Sequence, residues 1–285
     1  MSLEIVFWDV QHGNATYIKT PNGRHFVIDL GTGSYKDRNL SFSPLLHIKN
    51  RYGVERINFL IITHPHKDHI SDILNIDKLY LNSFHRPWGL KKEDVMKGVR
   101  DEDKPYYEKY FELDKIYSAP ASEENRLDKP DNWGGVIFES FYPPIDSTNI
   151  NNCSHVTVIN YAQSKIIIPG DNEPSSWQAL LKNPSFVRAI SNADIFLAPH
   201  HGRESGWCKD LFEYFKPSLT IISDGRFGDT SATDRYSKIS TGWTVHKRSG
   251  GSEKRYCVTT RNDGVIGVNC YYGGDKKPYL IVRID

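Results

Sequence analysis

The chain has 285 residues, with 36 Lys plus Arg against 35 Asp plus Glu, 11 His and a formal net charge of +1. That length suits one large α/β domain with a well-filled core, and the near balance of charge excludes recruitment of nucleic acid or anionic membrane by a global field, so any anionic substrate must be held locally. No window reaches the roughly 18 apolar residues a membrane helix needs, and "MSLEIVFWDV" has no basic region ahead of a long apolar stretch, so the expectation is a soluble, unsecreted protein of the cytoplasm with no membrane partner.

The first thirty residues alternate like paired strands: "LEIVFWDV", "ATYIKT", the turn "PNG" and "RHFVIDLG", which predicts an antiparallel opening sheet. "SPLLHIKNRYG" has helical spacing and a terminal Gly and predicts a short helix before the buried strand "INFLIIT". After "LYLNSF", residues 91 to 131 mix charges of both signs with Tyr106, Tyr107, Tyr110 and Phe111, which predicts one exposed helix and then a loop. Such a segment is either a lid or partner-binding arm, or simply a solvated helix. A second strand-rich block follows, "GVIFESFYP", "HVTVINY" and "KIIIPGD". Next come a helix "SSWQALLKN", a strand "ADIFLAP" running into "HHG", a helix "LFEYF", a strand "LTIIS", and closing strands in "RYCVTTRNDGVIGVNCYY" and "YLIVRI". Two successive blocks of strands followed by αβ units predict a two-sheet sandwich with helices outside. The four cysteines, Cys153, Cys208, Cys257 and Cys270, form no C-x-x-C pair and fit a reducing compartment.

Three of these strands end in metal-ligand side chains. His64, His66, Asp68 and His69 follow the first, Asp171 the second, and His200 and His201 the third. Strand ends on one edge of a sheet converge, so ligands far apart in sequence can surround a common point. A tight loop in H-x-H-x-D-H form can aim His64 and His66 at one ion and turn Asp68 and His69 to a neighbour about 3.5 to 4 Å away, with Asp171 suited to bridge the two. Imidazole with carboxylate suits zinc, and manganese and iron accept the same donors. A single histidine at a strand end would be only a polar residue near solvent; the repeated spacing is what points to metal.

"THPHKDH" resembles the signature of the metallo-β-lactamase fold superfamily. "FWDVQHGNATYIKTPNGRHFVIDLGTG" resembles the opening of the ComEC-type metallo-hydrolase, the domain attached to the bacterial competence DNA-uptake channel and also found free-standing. "KIIIPGD", "DIFLAPHHG" and "RNDGVIGV" resemble that subgroup's later motifs in the same order. The resemblance spans the chain except residues 85 to 132 and 225 to 254. It implies a four-layer αββα sandwich over residues 1–285, with an insertion at about 85–132 and two divalent metal ions on one edge. It places His64 and His66 on the first ion, Asp68 and His69 on the second, Asp171 between them, and one of His200 and His201 on the second. The superfamily carries a further histidine upstream of the bridging acid; here Asn151 or Asn152 stands in that place, with His155 and Cys153 nearby, so the first site is expected to be weaker. Asn14 replaces an acid of the family's first turn, and Arg203 replaces a small hydroxyl residue after "HHG".

Two adjacent divalent ions lower the pKa of a shared water towards ~7, and Asp68 can orient that nucleophile or take its proton. The expected function is therefore a metal-dependent hydrolase, a phosphodiesterase or nuclease acting on a small phosphoester, a nucleotide or a single-stranded nucleic acid. Alternatives are hydrolysis of a lactam, lactone or thioester on the same site, or a binding module with an incomplete first site. Arg203 would add a bidentate phosphate fork, or else a surface salt bridge. Asp29 is expected to orient a ligand histidine, or else to cap a strand end, and Gly31 and Gly33 to satisfy the turn. Arg86, Trp88, Trp207 and Lys209 would serve stacking and phosphate contact, or else pack the core edge.

Overall fold

In strand Ser2–Phe7 every second side chain is buried. It pairs antiparallel with Thr16–Lys19, which pairs in turn with His25–Ile28 across the turn at residues 21–23. Phe59–Ile61, buried on both faces, then adds parallel to His25–Ile28, as an uninterrupted apolar run should. These strands belong to a nine-stranded sheet, completed by the closing strands Ile266–Tyr272 and Pro278–Ile284 beside the first strand. The second sheet has six strands, of which Ser164–Ile168, Ile195–Leu197, Leu219–Ile222 and Cys257–Thr259 run parallel. The computed structural model describes residues 1–35, 40–225 and 231–285.

Three apolar layers hold the molecule together. Between the sheets, Ile5, Phe7, Phe26, Ile28, Phe59 and Ile61 of one face Phe138, Ile159, Ile166, Ile168, Leu197 and Ile221 of the other. Outside the first sheet, Val27 and Leu60 meet Leu45, Ile48, Ile73, Tyr107, Tyr110 and Leu113. Outside the second, Val158, Ile167 and Phe196 meet Trp177, Leu180, Phe186, Ile190 and Tyr236. The expected αββα sandwich is therefore present. Helix Pro44–Tyr52 forms as its caps dictate: Ser43 accepts from the Leu46 amide, Pro44 opens the first turn, and Gly53 closes it at φ 67°. Among the described residues no helix is long and apolar enough to cross a membrane. All four cysteines are buried free thiols.

Several elements differ from expectation. Helix Lys104–Ile116 is not merely solvated, since Tyr107, Tyr110 and Leu113 are buried against the first sheet's helical layer. Its charges occupy the other side, which is why the segment looks exposed in the sequence. The first three residues of "LFEYF" lie in a 3-10 turn, Lys209–Glu213, and the segment forms no α-helix. Helices Pro184–Ile190 and Thr233–Ile239 and the hairpin Trp243–Lys247 with Ser252–Arg255 had no counterpart in the reading of the sequence. In that hairpin's first strand only Val245 is buried, so the apolar alternation that announces a strand is almost absent.

Trp133 shows how the region 92–133 is anchored. Its ring lies fully buried in the layer between the sheets, 4.7 Å from Phe26 and 6.1 Å from Phe59, and its Nε1 donates to the Arg126 carbonyl at 2.9 Å. Trp133→Ala is expected to cost about 3–5 kcal/mol in urea unfolding, the usual range for emptying a large aromatic site; a loss below about 1 kcal/mol would mean that this segment does not fold with the sandwich.

Candidate metal centre

The parallel strands bring their carboxyl ends to one edge, the place where open α/β sheets bind ligands. Asp29 follows His25–Ile28, Thr63 and His64 follow Phe59–Ile61, Asp171 follows Ser164–Ile168, and His201 follows Ile195–Leu197. Asp29 ties two of these ends together. Its buried carboxylate accepts from the Thr63 amide at 2.7 Å, from Thr63 Oγ1 at 2.9 Å, from Asn14 Nδ2 at 3.0 Å and from His69 Nδ1 at 2.8 Å. The His69 tautomer is thereby fixed, leaving Nε2 to face the cluster.

Four side chains, Asp68, His69, Asp171 and His201, place one ligand atom each within 4.8 Å of one another. His69 Nε2 lies 3.3 Å from Asp171 Oδ1, and His201 Nε2 lies 3.1 Å from Asp68 Oδ2 and 3.3 Å from Asp171 Oδ2. His201 Nδ1 donates to the Ser223 carbonyl at 3.0 Å, which again presents Nε2 inward. His64 Nε2 stands 3.8 Å from Asp171 Oδ2, the oxygen that His201 also approaches, and 3.0 Å from His66 Nδ1. The loop bearing Asp68 packs so closely that a Cβ on Gly13 or Gly31 would come within 2.5 or 2.6 Å of the Asp68 carbonyl oxygen. Gly31 is thus required by close approach as well as by its turn, whereas a Cβ on Gly33 would make contacts no shorter than 3.4 Å.

The donor set fits a cation. Burial alone would strip the proton from His201, but the Asp171 and Asp68 carboxylates outweigh it and raise the imidazole to about 10. His69 is likewise raised well above its ordinary value, with Asp171, Asp29 and Asp68 overcoming burial. Burial would raise the Asp171 carboxyl, yet His201 and His69 hold it well below its usual range. Protons on the two imidazoles therefore offset the carboxylates of Asp29, Asp68 and Asp171 only in part, and a divalent ion would take the place of those protons. His69 Nε2 is buried 3.3 Å from Asp171 Oδ1 yet makes no well-aligned hydrogen bond among the described residues, a place that a cation between the two would fill better than a proton.

Of the histidine pair, His201 joins the cluster and His200 does not. Both lie in the left-handed region, at φ 54° and 50°. His200 instead sets Nδ1 at 2.9 Å from Ser205 Oγ and 3.4 Å from Glu173 Oε1. His155 also stands apart, buried and stacked on Tyr142 at 4.5 Å. Cys153 contacts the backbone of Asp146, and Asn152 is taken up by Asp146 and Glu173. Asn151 remains at the site: it lines the pocket, donates to Glu173 Oε1 at 3.2 Å, and keeps a buried Oδ1 without a partner among the described residues. Arg86 is engaged by Asp114 and Trp88 lies over its guanidinium, while Trp207 packs on Phe212 and Tyr236, so these three belong to other parts of the surface and core.

His12 was missed. Its Nε2 is 3.5 Å from Asp68 Oδ2 and its ring 4.7 Å from that of His201. A lone histidine in the turn "QHGN", with no partner at a ligand spacing, offered no signal. Glu173, two residues after Asp171, was missed for the same reason.

The family model described as Metallo-beta-lactamase superfamily matches residues 8–217. Recombination protein 2 of Haemophilus influenzae is 24% identical over 220 residues, covering 77% of this chain and 24% of that protein. ComE operon protein 3 of Bacillus subtilis is 24% identical over 241 residues, covering 78% and 28% respectively. The chain thus spans about a quarter of the length of the curated relatives it matches. Similar solved structures include a diphosphatase from the PhnP family, with TM-score 0.41, 11% identity and coverage of 82% of this chain and 92% of that one. Another is a long form RNase Z from yeast, with TM-score 0.40, 12% identity and coverage of 79% and 38%.

Because Asp29 orients His69, exchanging only its acceptor character should be felt at the cluster. Asp29→Asn is expected to weaken zinc binding about 10–100-fold, as loss of such a supporting partner commonly does, read by competition with a chromogenic chelator; unchanged affinity in a folded variant would remove Asp29 from that role.

Proposed function

We propose, from the premise that this chain belongs to the metallo-beta-lactamase superfamily and is a hydrolase of that fold, that the bond it breaks is a phosphodiester in a nucleotide or a short single strand. The observation that carries this reading is the lining of the pocket above the cluster. A space of about 760 Å³ opens over Asp68 and Asp171, walled by His12, His66, Lys67, Asn151, His200 and Arg203, with Tyr106 as its one large aromatic ring among the described residues. Pockets for uncharged organic substrates are predominantly apolar; this one offers hydrogen-bond donors and cationic groups around a carboxylate and imidazole floor. The two curated relatives, one named a recombination protein, are in keeping with such a substrate.

In this reading His64, His66 and Asp171 hold one divalent ion, and Asp68, His69, Asp171 and His201 hold a second, zinc being the ion these donors suit best. Bound there, the ions would supply Lewis acidity and make water acidic enough to react near neutral pH. The protein's own part is positioning and proton handling. Asp68 has the proton-accepting role: it lines the pocket, and the imidazoles of His69 and His201 outweigh burial and hold the carboxyl below its usual range. It is thus ionised and available as an acceptor. His12, with its pKa lowered to about 4 by burial and by His201, stays neutral beside Asp68.

A panel of bis-p-nitrophenyl phosphate, labelled single-stranded DNA and nitrocefin, each with Zn²⁺ or Mn²⁺, tests the substrate assignment. Turnover of the first two without the third is expected, and nitrocefin opening without phosphodiester cleavage would overturn it. The double variant His64→Ala with Asp171→Ala is expected to lose both bound ions and turnover, read by elemental analysis and by the same panel. In single variants His201→Ala should lower bound metal by about one ion per chain, whereas His200→Ala should leave the ion content intact.

A further inference from the structure

Arg203 sits at the rim of the pocket in an unusual electrostatic setting. Its Nη1 lies 3.3 Å from His200 Nε2 and its Nη2 lies 3.3 Å from His12 Nε2. Its Nε is buried and has no hydrogen-bond partner among the described residues. The acid next to it in sequence, Glu204, is turned to Arg235 at 3.0 Å, and Glu173 is occupied by Asn149, Asn151 and His200. Among the described residues, therefore, no carboxylate neutralises this guanidinium. An imidazole accepts from a guanidinium only through a lone pair, so it holds Arg203 in place while leaving its charge uncompensated. Three properties then coincide: a fixed orientation, a full positive charge, and a donor fork with N–H groups left over. That combination matches an oxyanion held by paired hydrogen bonds.

The position of the fork decides which oxyanion. Arg203 is outside the cluster of Asp68, His69, Asp171 and His201. The His12 ring stands between, with Nε2 at 3.5 Å from Asp68 Oδ2 and 3.3 Å from Arg203 Nη2. A group bound by Arg203 thus lies one imidazole away from the carboxylate that faces the reacting bond. We propose that Arg203, positioned by His12 and His200, is a specificity-determining residue that grips a second phosphate next to the scissile one, so that the substrate is a strand carrying consecutive phosphates. This assignment rests on the phosphodiester reading above and narrows it.

The test compares thymidylyl-thymidine bearing an added 5′- or 3′-phosphate, unmodified thymidylyl-thymidine, and bis-p-nitrophenyl phosphate, using wild type, Arg203→Met and Arg203→Lys with Mn²⁺. Wild type is expected to favour one phosphorylated dinucleotide over the unmodified one by about tenfold in kcat/KM, carried by KM, as a charge-assisted pair of hydrogen bonds warrants. Arg203→Met should abolish that preference, its loss on the phosphorylated dinucleotide being about tenfold larger than its loss on bis-p-nitrophenyl phosphate; Arg203→Lys, which keeps charge but not the fork, should restore part of it. Binding of a fluorescein-labelled pentathymidylate to metal-free protein, read by anisotropy, should weaken by a similar factor in Arg203→Met. Equal losses on every substrate, or no loss of the preference, would overturn the role of Arg203 while leaving the phosphodiester reading standing. Nitrocefin opening with no cleavage of any phosphodiester by wild type would instead overturn both.

Discussion

The Asp29 carboxylate is the constraint on which the site depends. It is fully buried, and a buried carboxylate is tolerated only when its oxygens are filled. They are filled by groups from three other segments: Asn14 from the opening turn, Thr63 from the end of the neighbouring parallel strand, and His69 from the short helix beyond it. Asp29 itself sits at φ 62°, a conformation that costs a residue with a Cβ about 1–3 kcal/mol and persists only where its surroundings demand it. What demands it is the set of donors, since an extended residue at the strand end would carry the carboxyl away from Thr63 and His69. Backbone strain at Asp29 and the orientation of the His69 imidazole are thus two aspects of one interaction.

The same principle of local arrangement, rather than bulk charge, governs the pocket. With a net charge of +1 the chain has no global field to draw an anion in. Charge is instead separated over a few ångströms, with the carboxylates of Asp68 and Asp171 on the floor and the guanidinium of Arg203 at the rim. The two consecutive left-handed residues His200 and His201 produce that separation. One imidazole enters the cluster and the other remains outside, where it meets Arg203. A regular turn would bring neighbouring rings to other places, so strain here has a chemical use.

Much of this could be foreseen from the residues. The alternation of the opening strands, the uninterrupted run ending at Ile62, and the histidines and acids at strand ends point to the sandwich and to a shared edge, where Asp68, His69 and Asp171 gather and His64 stands beside His66 and 3.8 Å from Asp171. Other features depend on contacts that spacing does not encode. The choice between His200 and His201 rests on two φ angles and on the Ser223 carbonyl far along the chain. His12 approaches Asp68 only because Gly13 lets the opening turn lie against that loop. The inward side of Lys104–Ile116 was hidden because tyrosines, which suit both surface and core, make up most of its buried face.

The region that resembles nothing in the motif pattern also shapes the site. Lys67, in the metal loop, pairs with Asp103 at 2.5 Å and lies 5.7 Å from the Tyr106 ring, both residues of the segment spanning 92–133. Of the two permanently cationic side chains that line the pocket, Lys67 is therefore compensated, and Arg203 has no carboxylate partner among the described residues. The part of the wall beside Tyr106 becomes neutral and aromatic, while Arg203 keeps its charge without a carboxylate partner among the described residues. Under the phosphodiester proposal, a chain of alternating bases and phosphates has that same division of character along its length. On the proposed reading, the segment 92–133 bears on selectivity by cancelling the charge of Lys67, which leaves that of Arg203 to act on the substrate.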